Sequence, residues 1–248
     1  MIATYHRPET LDEALALLTQ PNTFPLGGGT LLSHPMADAT RVSVVDLQAL
    51  GLDTLRAKGN DFEIGATCTL QSLLESEYCP AALKTAIKLE APINIRNSAT
   101  VAGTLVASDG RSPFATSLLA MDAKITIVNP KSEIINIGEF LPLRPRGLIT
   151  LITIPLNVKF AFEFVSKTPA DKPIVAAALS QWNSGRTRLA LCGYGKSPIL
   201  AMDGTEAEGL ESAARNAYHE ANDEWASAEY RMDVAATLAK RCLESFYA

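Results

Sequence analysis

Residues 24–32, FPLGGGTLL, run from a short apolar stretch into three consecutive glycines and a threonine. Glycines directly after a strand let the backbone reach positive φ and bring bare N–H groups up to a ligand, phosphate above all. A tight turn with no ligand is the other reading of the same residues. The spacing is neither GxGxxG nor GxxxxGK[ST], so neither a Rossmann nor a P-loop nucleotide site is indicated. A second segment of similar slimness follows at 93–105, INIRNSATVAGTL. There Asn94, Arg96, Asn97, Ser98, Thr100 and Thr104 surround Gly103 with small hydrogen-bonding groups. By itself it reads equally as a polar Ω-like loop or as a ligand loop.

Around these segments the pattern is mixed. Thr10 with Glu13 forms a capping box ahead of Leu11, Ala14, Leu15 and Leu18. Strands are expected at 23–26, 41–47 and 61–66, with AKGN as a turn before the last, and helices at 70–75, 81–90 and 114–121. Strands follow at 124–128 and 133–137. The proline- and arginine-rich LPLRPRG stretch within 140–147 suggests a boundary. Beyond it come strands at 148–155, 159–165, 174–181 and 187–193, the last alternating like a half-buried antiparallel strand. Helices at 206–221 and 229–246 close the chain, and Val234, Leu238, Cys242 and Phe246 share one helical face. The fold class is α+β. The expected division is 1–145, with subdomains of about 1–56 and 57–145, then 146–248.

Composition narrows the function. The 248 residues are 47% hydrophobic and 20% charged, with net charge −5, so no basic surface speaks for nucleic acid or an anionic membrane. No apolar run approaches the roughly 18 residues of a membrane helix, and residues 1–15 do not read as a secretory signal. A cytoplasmic protein is expected. Cys68, Cys79, Cys192 and Cys242 are scattered, as are His6, His34 and His219, so free thiols rather than a metal centre are expected. Asp109-Gly110-Arg111-Ser112 has no nearby histidine and reads as a salt-bridged surface turn, with no catalytic residue assigned. Two slim segments and no catalytic group are the profile of a protein that holds a cofactor.

The segments also resemble a family, the FAD-binding subunits of molybdenum hydroxylases of the xanthine and carbon-monoxide dehydrogenase type. FPLGGGTLL is similar to its AGGTDLL loop and INIRNSATVAGTL to its QIRNxATIGGNL loop. VVDLQAL (44–50), FEIGATCTLQSL (62–73), SLLAMDA (117–123), TRLALCGYGKSPILA (187–201) and EWASAEYR (224–231) match further family segments in order. The resemblance implies a two-subdomain PCMH-type FAD-binding fold followed by a C-terminal antiparallel sheet with helices. It implies FAD as cofactor, with Leu26, Gly27, Gly28, Gly29, Thr30 and Leu31 in the first loop and Thr100, Ala102, Gly103 and Thr104 in the second. The backbone N–H groups of both loops would receive the pyrophosphate, and Ile149 would flank the flavin. Leu31 stands where the family has Asp, Ala102-Gly103-Thr104 where it has Gly-Gly-Asn, and Pro113 where a carboxylate meets the ribityl chain. Asp109 and Ser112 are the candidates to replace that carboxylate. The methyl of Ala102 fits if its φ is negative and obstructs if positive. The implied partners are an iron–sulfur subunit and a molybdopterin-containing large subunit, with NAD⁺ or another external electron acceptor. The implied role is electron relay in a heteromeric oxidoreductase, and the alternative is a degenerate, flavin-free scaffold subunit of the same kind of complex.

Overall fold

The computed structural model describes residues 2–31, 41–169 and 171–247. Its first unit comprises β1 (Ile2–His6), α1 (Leu11–Leu18), β2 (Thr23–Leu26) and β3 (Val42–Asp46), with the strands parallel in the order β1-β3-β2. The Thr10 hydroxyl accepts the N–H of Glu13 and starts α1 as the capping pattern predicts. Leu11, Ala14, Leu15 and Leu18 pack on Val45 and on Leu148 of the next unit.

The second unit contains β4 (Leu55–Lys58), β5 (Asp61–Gly65), α2 (Leu70–Glu75), α3 (Ala81–Glu90), α4 (Ile93–Arg96), α5 (Val101–Ala107), α6 (Pro113–Ala120), β6 (Lys124–Asn129), β7 (Lys131–Asn136), α7 (Ile137–Leu143) and β8 (Leu148–Pro155). Its sheet runs β4-β5-β8-β6-β7 with every pair antiparallel. The strand at 148–155 lies where expected in sequence but not in space. It pairs with β5 and β6, and its fully buried Ile152 and Ile154 belong to this unit's core. The sheet therefore continues past the expected division after residue 145. The LPLRPRG stretch is internal to the unit: Arg144 ends α7 at a φ of 45°, and its guanidinium donates to the carbonyls of Leu105 and Ser108 at the end of α5.

The C-terminal unit is β9 (Val158–Val165), β10 (Val175–Trp182), β11 (Thr187–Cys192), β12 (Ile199–Gly204), α8 (Leu210–Asn216) and α9 (Ala228–Glu244). Its antiparallel sheet has the order β12-β11-β10-β9. β11 is buried along its whole length rather than half-buried, because both faces are covered. One face, with Ala176, Ala178, Ala190 and Cys192, joins the core of the second unit beside Phe114 and Leu118 of α6. The other, with Ala177, Leu179, Leu189 and Leu191, packs on Leu210, Ala214, Leu238 and Cys242 of α8 and α9. The alanines of β10 leave room for a helix on each side.

A fully buried guanidinium, Arg231 on α9, fastens this layer. It donates to the carbonyls of Ala221, Ala226 and Gly193 and to Asp223. Replacing it takes the donor from three carbonyls and from the Asp223 carboxylate, which is 27% exposed, a loss of about 3 kcal/mol. For Arg231→Met we expect a melting temperature lower by on the order of 10 °C, read by calorimetry.

Candidate functional site

Two of the three glycines answer to a packing constraint that the sequence does not show. Gly29 has a positive φ, 69°, whereas Gly27 and Gly28 do not. A Cβ on Gly28 would lie 1.6 Å from the carbonyl oxygen of Ser98, and one on Gly27 would lie 2.7 Å from Thr100 Oγ1. The turn thus rests directly on residues 98–100, and that contact excludes side chains at 27 and 28. Among the described residues, the N–H groups of Gly27 to Thr30 donate to no protein acceptor.

The second segment is helical rather than a loop. α4 and α5 flank residues 97–100, and Thr100 caps α5, its hydroxyl accepting the N–H of Gly103 at 3.2 Å. The N–H groups of Val101 and Ala102 are also engaged, donating to the carbonyls of Cys68 and Ala66 at 2.8 and 3.2 Å. The N–H groups of residues 101–104 are therefore not the free donors to a pyrophosphate that the resemblance implies. Its first turn is spent on holding the helix against residues 66–69. Ala102 sits inside α5 without a positive φ, so its methyl is accommodated. The Thr104 hydroxyl is covered and finds no hydrogen-bond partner among the described residues.

These elements enclose one cleft of about 520 Å³. Leu26, Gly27, Gly28, Gly29, Thr30, Leu31, Thr100, Ala102, Gly103, Thr104 and Ile149 all line it. Ile149 reaches it from β8, next to Gly147, whose φ is 149°. Leu47, Leu70, Ile95 and Val106 make the remaining walls largely apolar, and Leu31 at the mouth is 63% exposed. Leu32, the last residue of the quoted glycine stretch, and His34 lie outside the described residues.

Two charged residues also line the cleft. Glu90, the last residue of α3, is the one carboxylate among the described lining residues, and Lys172, between β9 and β10, is the one cation. They pair at 3.2 Å, with the Glu90 side chain only 7% exposed. The other Glu90 oxygen accepts from Ser112 Oγ at 2.7 Å and from the N–H of Phe114 at 3.1 Å. A negative charge closing a helix opposes the dipole, so a glutamate at the end of a sequence-predicted helix was the available hint of a partner.

The 109–112 turn is not a salt-bridged surface turn. Ser112 is fully buried as the cap of α6, and Pro113 is that helix's first residue. Gly110 exchanges backbone hydrogen bonds with Gly193 and Gly195, and a Cβ there would lie 2.1 Å from the Tyr194 carbonyl oxygen. Arg111 stacks on Trp225, 4.3 Å from the ring centre, in a smaller recess of about 360 Å³ also lined by Asp109. Neither Asp109 nor Ser112 lines the main cleft. The four cysteines are free and buried, and burial pushes the Cys68 thiol to about 11 and the other three to about 12. No group of three His, Cys, Asp or Glu among the described residues could hold a metal ion.

A family profile described as the FAD binding domain in molybdopterin dehydrogenase matches residues 1–157. The chain belongs to that family. Along its length this family member is 26% identical to the carbon monoxide dehydrogenase medium chain of Afipia carboxidovorans, over 97% of this chain and 95% of that protein. It is 27% identical to the Escherichia coli protein YgfM over 96% and 94%. Its fold superposes on a chain of the crystal structure of a Cu,Mo-CO dehydrogenase with a TM-score of 0.81, at 25% identity, covering 98% and 97% of the two chains. The cofactor of the family is FAD.

The residues present fit that group. A turn free of side chains, a covered threonine hydroxyl with no partner and an apolar cleft suit a dinucleotide with a flat ring system. Gly28→Ala should drive the turn off Ser98 and lower FAD affinity at least tenfold without changing secondary structure. Fluorescence titration with FAD, beside circular dichroism, checks both halves.

Proposed function

We propose that the chain is the flavin-bearing, electron-relaying subunit of a molybdopterin-dependent hydroxylase or dehydrogenase. FAD bound here would accept electrons from a partner's iron–sulfur clusters and pass them to an external acceptor, NAD⁺ being one candidate. The observation that carries the reading is the convergence of three distant segments on one cleft left open by their side chains: the glycine turn, the capped start of α5 and Ile149 of β8. Glycine at 27 and 28 is required by packing against Ser98 and Thr100 in either reading, so the open apolar cleft beside them is what favours a bound flavin over a flavin-free scaffold.

We assign the chain's own residues the following roles. The N–H groups of residues 27–30 receive phosphate oxygens. The Thr104 hydroxyl supplies a further hydrogen bond from α5. Ile149, Leu70 and Ile95 exclude water from the ring system. Thr100 acts indirectly, by capping α5 and setting the height of Gly103. With these assignments the flavin unit ends after β8, and residues 156–248 form the unit that covers it. The partners we assign are an iron–sulfur subunit and a large molybdopterin subunit. No helix among the described residues is long and apolar enough to cross a membrane. A cytoplasmic location goes with this reading.

The test is the absorbance spectrum of the purified chain, followed by release of flavin on denaturation and co-purification with the two partner subunits. Flavin bands at near one FAD per chain are expected. Colourless protein that takes up no FAD on incubation would overturn the proposal. Thr104→Val keeps the shape and removes the hydroxyl, so it should raise the FAD Kd about 2- to 12-fold, the worth of one hydrogen bond at about 0.5–1.5 kcal/mol.

A further inference from the structure

Charge is scarce along the cleft. Its described lining holds one cation and one anion, and they are bonded to each other across a unit boundary. Glu90 belongs to α3 of the second unit and is fixed from behind by Ser112 and Phe114 at the start of α6. Lys172 belongs to the segment joining β9 and β10 of the C-terminal sheet, and its side chain is 40% exposed. An exposed ion pair contributes little to stability. Set into the wall of an apolar cleft, the pair acts on whatever charge develops inside, the nearly covered carboxylate being weakly screened and the 40% exposed ammonium acting through a higher effective dielectric.

We propose that the Glu90–Lys172 pair sets the redox balance of the flavin that this cleft would hold, an inference that rests on the FAD-binding reading above. Taking up two electrons and one proton turns the neutral isoalloxazine into a reduced form with one negative charge. The Lys172 ammonium supplies the countercharge to that form. The Glu90 carboxylate holds the ammonium at the wall and moderates it. Glu90 and Lys172 are positioning and tuning residues, with no bond made or broken at either. At an effective dielectric of about 20, one unit charge roughly 10 Å away changes the ratio of charged to neutral forms on the order of tenfold.

The experiment is a reductive titration of the full FAD-loaded chain with dithionite and a redox mediator, repeated for Lys172→Met, Lys172→Arg and Glu90→Gln. Lys172→Met should weaken the reduced form relative to the oxidised form about tenfold, a fall of about 30 mV for a two-electron couple. Lys172→Arg keeps the charge and should keep the midpoint. Glu90→Gln frees the ammonium from its anion and should shift the midpoint the opposite way. A strut that merely joins the two units would lower the melting temperature in both charge-removing variants and move neither midpoint. Midpoints equal to that of the unsubstituted chain, or shifts of the same sign in Lys172→Met and Glu90→Gln, overturn the inference and leave FAD binding standing. A chain that loads no FAD overturns it together with the reading beneath it.

Discussion

A helix with all eight residues buried has to find partners inside the protein for both of its ends, and α6 is such a helix. At its start the Ser112 hydroxyl takes the N–H of Ala115, and the Glu90 carboxylate takes that of Phe114. At its end Arg188 of β11 donates to the carbonyl of Leu119. Thr116 and Ser117 turn their hydroxyls back onto the carbonyls of residues 112 and 113, which lets polar side chains sit in an otherwise apolar layer. Each solution recruits a different element, so satisfying one helix fixes α3, β11 and the 109–112 turn relative to one another.

The cleft inherits its shape from that arrangement. α3 delivers Glu90 because α6 needs an acceptor. Lys172 follows Glu90, and the β9–β10 segment is thereby drawn to the cleft wall. On the opposite side, Arg144 holds the last carbonyls of α5, while Thr100 and the carbonyls of residues 66 and 68 hold its first turn. A seven-residue helix clamped at both ends is a firm shelf despite its length. The glycine turn then needs only to lie on it. The cleft is thus backbone geometry enforced by a few side chains standing behind it, with little polar chemistry of its own.

Much of this was legible in the residues, and the illegible parts share a cause. α2 and α3 have the expected ends because capping and apolar spacing are local signals. β1 and β4 were missed: IATYH and LRAK are short and largely exposed, carrying no pattern that distinguishes them from loop. α7 was hidden by Pro142, which local reasoning takes as a stop. β12 is short and only partly buried, and α8 is much shorter than the helical stretch suggested. All eleven site positions taken from the family resemblance line one cleft, yet Gly27 and Gly28 are held by close packing rather than by positive φ, and the N–H groups at the α5 start are engaged within the protein. The glycine packing depends on contacts between residues some 70 positions apart, Gly28 against Ser98 and Gly27 against Thr100, and the α5 start depends on the carbonyls of residues 66 and 68. The Glu90–Lys172 pair lies further out of reach: the helix-closing position of Glu90 hints at a partner, but nothing local marks Lys172 as that partner.

The sharing of α6 between two cores also bears on how such a chain can be divided. Phe114 and Leu118 pack against Ala176, Ala178 and Ala190 in the same cluster that contains Phe62, Ile125 and Ile152. A cut after β8 would strip that helix of its C-terminal cover and leave an apolar strip facing water, so the two halves are not interchangeable modules. Recombination that swapped one half for a relative's would have to carry the matching surface with it, and gene fission at this point would give two polypeptides that must reassociate to fold. Covalent continuity here replaces what would otherwise be an obligate interface.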